Sequence, residues 1–285
     1  RLSSHRTTLV LRRNIETMTS ETTFQYLSCS VDADGVATVL LNRPPANAVD
    51  RDMYIEIAAL FGAPDSLGEV KAIVLGAEGR FFCAGNDLDE FATMTPDNGT
   101  ERMWRVREAF FAIQDCPVPV IGAVHGAALG TGLAIAASCD FVVASPDAKF
   151  GLPELTVGVM GGAAHLARLA AQPIVRRMYF TGEAIEARQL AEWGAAIFLH
   201  EGEGLVEAAK RFARRTASFS PTAVRLAKQI LNRIETMDLQ PGYAFEQGFT
   251  VKMSGHPDSK EALRAFAEKR PANYAPRNPQ WTIEV

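Results

Sequence analysis

Three segments of the chain combine small residues or a carboxylate with a position beside a predicted strand. They are residues 80–88, 125–132 and 149–155. The first segment reads Arg-Phe-Phe-Cys-Ala-Gly-Asn-Asp-Leu and supplies small residues where a backbone must approach a partner closely. It predicts a ligand-facing loop. An ordinary strand-to-helix turn with Gly85 at positive φ is the alternative interpretation.

The second segment, His-Gly-Ala-Ala-Leu-Gly-Thr-Gly, follows another predicted strand and precedes a short helix of small residues. A helix N-terminus leaves backbone N–H groups free and carries partial positive charge, which favours an oxyanion. The segment is no dinucleotide fingerprint, because Gly130 and Gly132 lack a third glycine at the required spacing, and the chain has no Walker sequence. Two loops that each aim one amide at a carbonyl oxygen would form an oxyanion hole, and losing one such donor costs about 3 kcal/mol.

The third segment places one carboxylate, Glu154, after Pro153 among apolar neighbours. Burial raises the pKa of such a carboxyl group toward the range useful for a general base. A glutamate in the first turn of a helix that only complements the helix dipole is the alternative. Together the three segments favour chemistry on a thioester enolate, without identifying the substrate.

Other chemistries find little support. The five histidines are isolated and no HExxH occurs, so no metal site is expected. The absence of a GxSxG elbow argues against an α/β-hydrolase. Asp87, Asp89 and Glu90 offer a second acid near the first loop, but acids just after a loop are more often solvent-facing residues of a helix N-terminus.

Composition limits the partners. With 33 acids against 29 bases, the chain gives no reason to expect nucleic acid or an anionic membrane as a partner. No apolar run reaches the roughly 20 residues needed to cross a bilayer. The four cysteines are far apart, so we expect a reducing compartment and a cytoplasmic protein. Residues 1–17 are rich in Arg, Ser and Thr, so a mitochondrial transit peptide is the alternative to an extension foreign to the fold.

Strand and helix patterns alternate through the first two thirds of the chain. Strands are predicted at residues 36–41, 71–75, 118–124 and 141–144, and helices at 50–61, 101–113 and 131–138. From residue 205 onward only amphipathic helices are predicted, at residues 205–217, from Pro221, at 243–253 and at 259–269. We therefore expect an N-terminal extension over residues 1–20, an α/β core over 21–200 and a helical region over 201–285.

The motifs in their order resemble the enoyl-CoA hydratase/isomerase, or crotonase, superfamily. They are Leu-Asn-Arg-Pro at 41–44 with Asn47-Ala48, Phe-Cys-Ala-Gly-Asn-Asp-Leu at 82–88, Ala-Leu-Gly-Thr-Gly at 128–132, Asp140, and Phe-Gly-Leu-Pro-Glu at 150–154. The resemblance spans roughly residues 22 to 275. It implies a crotonase-like spiral of ββα units, and a helical C-terminal region that builds homotrimers or dimers of trimers.

The resemblance also implies a site for an acyl-CoA thioester, with no cofactor beyond the coenzyme A of the substrate. Carried over by position, the amides of Asn86 and Thr131 form the oxyanion hole and Glu154 is a catalytic glutamate. The residues expected to bind substrate are Ala84, Gly85, Asp87, Leu88, Leu129, Gly130, Gly132 and Ala134.

One departure bears on the reaction. The family's hydratases hold water between two glutamates, and the second of these falls on Ala134. A single glutamate can remove a proton and return it elsewhere, so isomerase-type chemistry on an enoyl-CoA is favoured over two-glutamate hydration. A hydratase-lyase, a thioester hydrolase and an inactive acyl-CoA-binding paralogue are the alternatives.

Overall fold

The computed structural model describes residues 24–277. The predicted N-terminal extension, with its interpretation as a transit peptide, lies outside these residues. The described part of the chain contains nine strands: β1 (Leu27–Val31), β2 (Val36–Leu41), β3 (Ala72–Ala77), β4 (Val120–Val124), β5 (Ala127–Leu129), β6 (Phe141–Ala144), β7 (Lys149–Gly151), β8 (Ile185–Glu186) and β9 (Ile197–Leu199).

Eleven α-helices lie within the same described residues. They are α1 (Arg51–Gly62), α2 (Leu88–Phe91), α3 (Pro96–Gln114), α4 (Thr131–Ser138), α5 (Ala163–Leu166), α6 (Gln172–Thr181), α7 (Ala187–Glu192), α8 (Leu205–Ala217), α9 (Pro221–Ile234), α10 (Leu239–Ser254) and α11 (Pro257–Ala267). Two 3-10 turns, Pro64–Leu67 and Glu154–Val157, complete the described secondary structure. The four predicted strands correspond to β2, β3, β4 and β6, and each predicted helix overlaps an observed one.

The main sheet has the strand order β1-β2-β3-β4-β6-β9. β1 pairs antiparallel with β2, and every other neighbouring pair in this sheet is parallel. Its central strands are apolar and buried on both faces, as parallel strands covered by helices usually are. A second sheet has the order β5-β7-β8. It pairs β5, from the second predicted segment (residues 125–132), with β7, from the third (residues 149–155).

Alternate residues of the main sheet face two different cores. Ile73 and Leu75 belong to the larger core, which also receives side chains from α1, α3 and α4. Val74 and Ile121 point to the other face and pack with Ala209 of α8 in a smaller core. Since side chains along a strand alternate between faces, both sides of the sheet must be covered, and α8 covers one of them.

An ion pair between a buried lysine and a partly exposed aspartate joins the C-terminal helices to the sheet. Lys228 of α9 is 3% exposed, and its Nζ lies 2.7 Å from both carboxylate oxygens of Asp140. One of these oxygens also accepts a hydrogen bond from the amide of Val120 at the start of β4. Asp140, one of the family motif residues, therefore has a structural role between α9 and the sheet.

Among residues 24–277, no helix has the length and apolar character of a membrane span.

Candidate active site

The first predicted loop runs from the end of β3 to α2, and backbone hydrogen bonds hold it on both sides. Toward β5, the amide of Cys83 donates to the carbonyl of Ala127 at 2.9 Å, and the amide of Leu129 donates to the carbonyl of Cys83 at 3.0 Å. On the opposite side, the amide of Val49 donates to the carbonyl of Gly85 at 2.9 Å. The loop is thus an irregular strand between the start of α1 and the second loop.

The second predicted loop leads from β5 into α4, a helix whose eight residues are all buried. Gly130 is the N-cap and has φ 53°, in the left-handed region that favours glycine. Its amide donates to the carbonyl of Gly151 in β7 at 2.9 Å, and its carbonyl accepts from Ala134 at 3.0 Å. The apolar composition of α4 buries the helix and therefore places its amide-rich end inside the protein.

Among the backbone amides of the two loops that have no hydrogen-bond partner in the described residues are those of Asn86 and Thr131. A trans peptide unit points its C=O and N–H in opposite directions. Because the carbonyls of Gly85 and Gly130 are already bonded, the following N–H groups, those of Asn86 and Thr131, point away from these partners. Within residues 24–277, neither amide donates a hydrogen bond.

The residues that carry these amides are close neighbours. The Tyr54 hydroxyl lies 2.5 Å from Oδ1 of Asn86 and 3.0 Å from Oγ1 of Thr131. Two free amide donors on adjoining loops are what an oxyanion hole requires.

Gly132 allows the two loops to touch. A Cβ placed on Gly132 would lie only 2.2 Å from the carbonyl oxygen of Cys83, a distance that no side chain tolerates. A glycine is needed here because a backbone approaches from the other loop. The structure therefore gives Gly132 a packing role at the back of the site, and its predicted contact with substrate stays a prediction.

Glu154 lies beside the start of α4. It opens the 3-10 turn after β7 and Pro153, and only 9% of its surface is exposed. Its Oε1 is 3.1 Å from the point where a Cβ on Gly130 would lie. Its Oε2 is buried and has no hydrogen-bond partner among the described residues.

Burial governs the charge state of this carboxyl group. Desolvation raises the pKa of Glu154 above its ordinary value. A hydrogen bond to its own backbone amide opposes this shift more weakly. Glu154 thus combines the location, the free lone pairs and the raised pKa of a general base.

Ala134, on which the resemblance places the second glutamate of the hydratases, lies one turn into α4. It is 2% exposed and belongs to the larger hydrophobic core. The methyl group offers no partner for a water molecule. The structure therefore provides one carboxylate, Glu154, at this end of α4.

The remaining predicted residues of the first loop lie at its outer end. Ala84 and Leu88 are exposed, Leu88 by 65%. Asp87 caps α2 by accepting from the amide of Glu90, and it forms an ion pair of 2.8 Å with Arg43. These two contacts lower the pKa of Asp87, so it remains a carboxylate at neutral pH. It anchors the loop and has no feature of a second acid.

A cavity of about 450 Å³ opens beside Asn86 and Tyr54, between the starts of α1, α2 and α3. Phe91, Met103 and Arg102 contribute to its walls.

Among residues 24–277, no cluster of three or more His, Cys, Asp or Glu side chains is arranged to hold a metal ion. Cys83 is fully buried, and burial raises the pKa of its thiol to about 12, so it stays protonated.

Two residues of the site carried no chemical signal in the sequence. Tyr54 occupies an apolar position of an amphipathic helix, where a tyrosine usually only contributes to the core. Asn47 appeared only as part of a family motif. Its side chain accepts from the amide of Arg43 and donates to the carbonyls of Glu78 and Phe81, which fixes the start of the first loop. Its φ of 52° could have been anticipated, since Asn adopts that region more readily than most residues.

Residues 32–277 match the family described as enoyl-CoA hydratase/isomerase. A Rhodococcus jostii protein named (7aS)-7a-methyl-1,5-dioxo-2,3,5,6,7,7a-hexahydro-1H-indene-carboxyl-CoA hydrolase is 34% identical over 85% of this chain and 94% of its own length. A short-chain-enoyl-CoA hydratase of Clostridium acetobutylicum is 35% identical over 82% of this chain and 92% of its own.

Solved structures agree with the fold. The crystal structure of enoyl-CoA hydratase from Bacillus anthracis superimposes with a TM-score of 0.82 and 30% identity, covering 88% of this chain and 99% of that one. The predicted α/β, crotonase-like fold is therefore confirmed.

Proposed function

Because the chain belongs to the enoyl-CoA hydratase/isomerase family, we propose that it binds an enoyl-CoA thioester and stabilises its enolate. The thioester oxygen accepts hydrogen bonds from the amides of Asn86 and Thr131, and Glu154 acts as the single acid/base. The observation that carries the proposal is the carboxylate of Glu154, which is buried, has one oxygen without a partner among residues 24–277, and lies against Gly130 at the start of α4.

The favoured reaction is the shift of a double bond from C3 to C2 of the acyl chain. Glu154 removes a proton from C2 of a 3-enoyl thioester, and the electron pair moves onto the thioester oxygen to give a dienolate. The two amides stabilise the oxyanion, each by about 3 kcal/mol at the transition state. The protonated Glu154 then returns the same proton to C4, which gives the 2-enoyl isomer and regenerates the carboxylate.

Ala134 is the reason for favouring isomerisation over hydration. Addition of water between two carboxylates needs an acid and a base on the two sides of the water molecule. At the first turns of α4 the chain supplies a buried methyl group where the second carboxylate would be needed. Proton transfer between C2 and C4 needs only one carboxyl group, and Glu154 provides it. The proposal involves no cofactor other than the coenzyme A of the substrate.

Hydrolysis is the second candidate. Two relatives, 34% and 35% identical to this chain, are named CoA hydrolases. An oxyanion hole with one buried base also suits the attack of water on a carbonyl, since the base can take a proton from water as it adds. In this chain Glu154 would be that base.

The deciding experiment incubates the purified protein in water with 3-enoyl-CoA and, separately, with trans-2-enoyl-CoA of short and medium chain. Mass spectrometry and ultraviolet absorbance follow the products. We expect interconversion of the two isomers without a change in mass, and its loss in Glu154→Gln. Addition of one water would establish a hydratase, and release of free coenzyme A would establish a hydrolase. Unchanged turnover by Glu154→Gln would remove Glu154 from the mechanism.

We also propose that the chain assembles as a homotrimer or a dimer of trimers. The C-terminal helices expose large apolar side chains, among them Leu239 and Phe266, each 86% exposed. Surfaces of this kind on a folded chain are usually covered by a partner. Light scattering coupled to gel filtration gives the mass, and a monomer at micromolar concentration would contradict the proposal.

A further inference from the structure

The hydroxyl group of Tyr54 connects the two loops of the site. It donates a hydrogen bond to Oδ1 of Asn86 at 2.5 Å and lies 3.0 Å from Oγ1 of Thr131. With its proton directed to Asn86, the tyrosine oxygen accepts from the Thr131 hydroxyl. A chain of two hydrogen bonds therefore runs from α4 through α1 to the first loop. Its two ends are Asn86 and Thr131, neither of whose amides donates a hydrogen bond within residues 24–277.

The tyrosine itself is held in one place. Its side chain is 5% exposed, and the ring of Phe110 in α3 packs edge-on against it with centroids 6.1 Å apart. Burial raises the pKa of the phenol, so the hydroxyl keeps its proton at neutral pH and remains a donor. A buried, ordered hydroxyl group costs little to reorganise during a reaction.

Both amides need such support because each follows a glycine. The Asn86 amide belongs to the peptide unit that begins with Gly85 at φ 119°, and the Thr131 amide to the unit that begins with Gly130 at φ 53°. Glycine imposes the weakest limits on backbone rotation, so these peptide planes can tilt more readily than their neighbours. The hydrogen bonds of Tyr54 to the side chains of Asn86 and Thr131 limit this tilt. An oxyanion hole depends on such alignment, since donors must sit within hydrogen-bond distance of the oxyanion position.

We propose that Tyr54 is a positioning residue that sets the relative orientation of the Asn86 and Thr131 amides through these two hydrogen bonds. In this role Tyr54 acts through the residues on both sides of the oxyanion rather than by contact with the reacting atoms. This inference rests on the proposed function, because it assigns a role only if the two amides receive the thioester oxygen.

The test is Tyr54→Phe, which keeps the ring and its packing on Phe110 but removes both hydrogen bonds. We expect kcat to fall by roughly 10-fold with little change in KM, because misaligned donors weaken transition-state binding more than substrate binding. The matched control is Ser138→Ala, which also removes a buried hydroxyl group, one that bonds the carbonyl of Ala134 further along α4. The control should keep the kcat of the unchanged protein. Equal losses of kcat in the two variants would show a general effect of deleting buried hydroxyl groups and would overturn the proposal.

Vibrational spectroscopy of a bound thioester separates this inference from the proposed function. The C=O stretch of an isotope-labelled, unreactive acyl-CoA shifts to lower frequency when an oxyanion hole polarises it. We expect a clear shift on binding to the unchanged protein and a smaller shift in Tyr54→Phe. No shift in the unchanged protein would refute the oxyanion hole itself. A full shift in both proteins would refute only the role of Tyr54.

A double-mutant cycle with Thr131→Ala tests the route of the effect. If Tyr54 acts partly through the Thr131 hydroxyl, removing its own hydroxyl should cost less in the Thr131→Ala background than in the unchanged protein. Additive losses of kcat in the double variant would mean that the tyrosine acts by another route, and the proposal would be wrong.

Discussion

Replacing Glu154 by Gln is expected to lower activity and raise stability in the same variant. The carboxylate is 9% exposed, and its Oε2 has no hydrogen-bond partner among the described residues. A buried polar group without a partner costs about 1–3 kcal/mol, and more when it is charged. Glutamine keeps the shape but carries no charge. We therefore expect the free energy of unfolding at neutral pH to rise by about 1 kcal/mol, or about 2–4 °C in Tm.

The pH dependence follows from the raised pKa of Glu154. A carboxyl group whose pKa is higher in the folded than in the unfolded chain binds its proton more tightly when folded. Its favourable contribution is complete below the unfolded value, which is 4.5, and is lost as the pH rises through the folded value. The stability advantage of Glu154→Gln should therefore be present at neutral pH and vanish below about pH 4.5.

Activity should change in the opposite sense. In the proposed mechanism only the ionised carboxylate removes the C2 proton, so turnover should decline on acidification at a higher pH than an ordinary glutamate would give. General acid–base catalysis contributes about 10²- to 10⁴-fold, and Glu154→Gln should lose a factor in that range. The assays are thermal unfolding at several pH values and the isomerase assay. A variant that loses activity and stability together would refute the reasoning, because Glu154 would then be a structural residue.

Three further changes test other parts of the site. Thr131→Pro removes one amide at the first helical position, where proline fits, and should lower kcat about 10²- to 10³-fold. Thr131→Ala keeps the amide and should lower kcat far less. Equal losses of kcat in the two variants would exclude the amide as a donor. Gly132→Ala places a Cβ against the carbonyl of Cys83 and should lower the free energy of unfolding by about 1–3 kcal/mol, which denaturant unfolding measures. Ala134→Glu should add hydration of 2-enoyl-CoA, detected as a gain of one water; a folded variant without hydration would show that a second carboxylate at Ala134 is not sufficient to position water.

The sequence predicted the long elements of the fold more reliably than the short ones. Four apolar runs became central strands, and the buried helix α4 was predicted with its observed bounds. Strands such as β5 and β7 were missed because each has only three residues, and β5 consists of Ala, Ala and Leu. Their strand conformation results from pairing with each other across more than twenty residues, which local propensity does not report.

For the proposed site, local sequence signals predicted the two loops and the carboxylate but not what connects them. A glycine-rich turn before a helix and an acid after a proline are local signals. Tyr54 lies more than thirty residues from Asn86 and carries no local signal, because a tyrosine in an amphipathic helix is usually a core residue. That Ala134 replaces a carboxylate was inferred only from the family resemblance, since an alanine in a buried helix carries no chemical signal of its own.

The proposed base and one donor of the proposed oxyanion hole are positioned by the same contact. β5 and β7 pair in parallel with Leu129 opposite Gly151, and the amide of Gly130 extends this pairing to the carbonyl of Gly151. The segment after β5 continues from Gly130 into the Thr131 amide, and the segment after β7 reaches Glu154 three residues beyond Gly151. Because Gly130 has no side chain, the carboxylate can lie directly against the helix start. The backbone pairing therefore sets the relative positions of Glu154 and the Thr131 amide, which is the preorganisation that the proposed enolate chemistry requires.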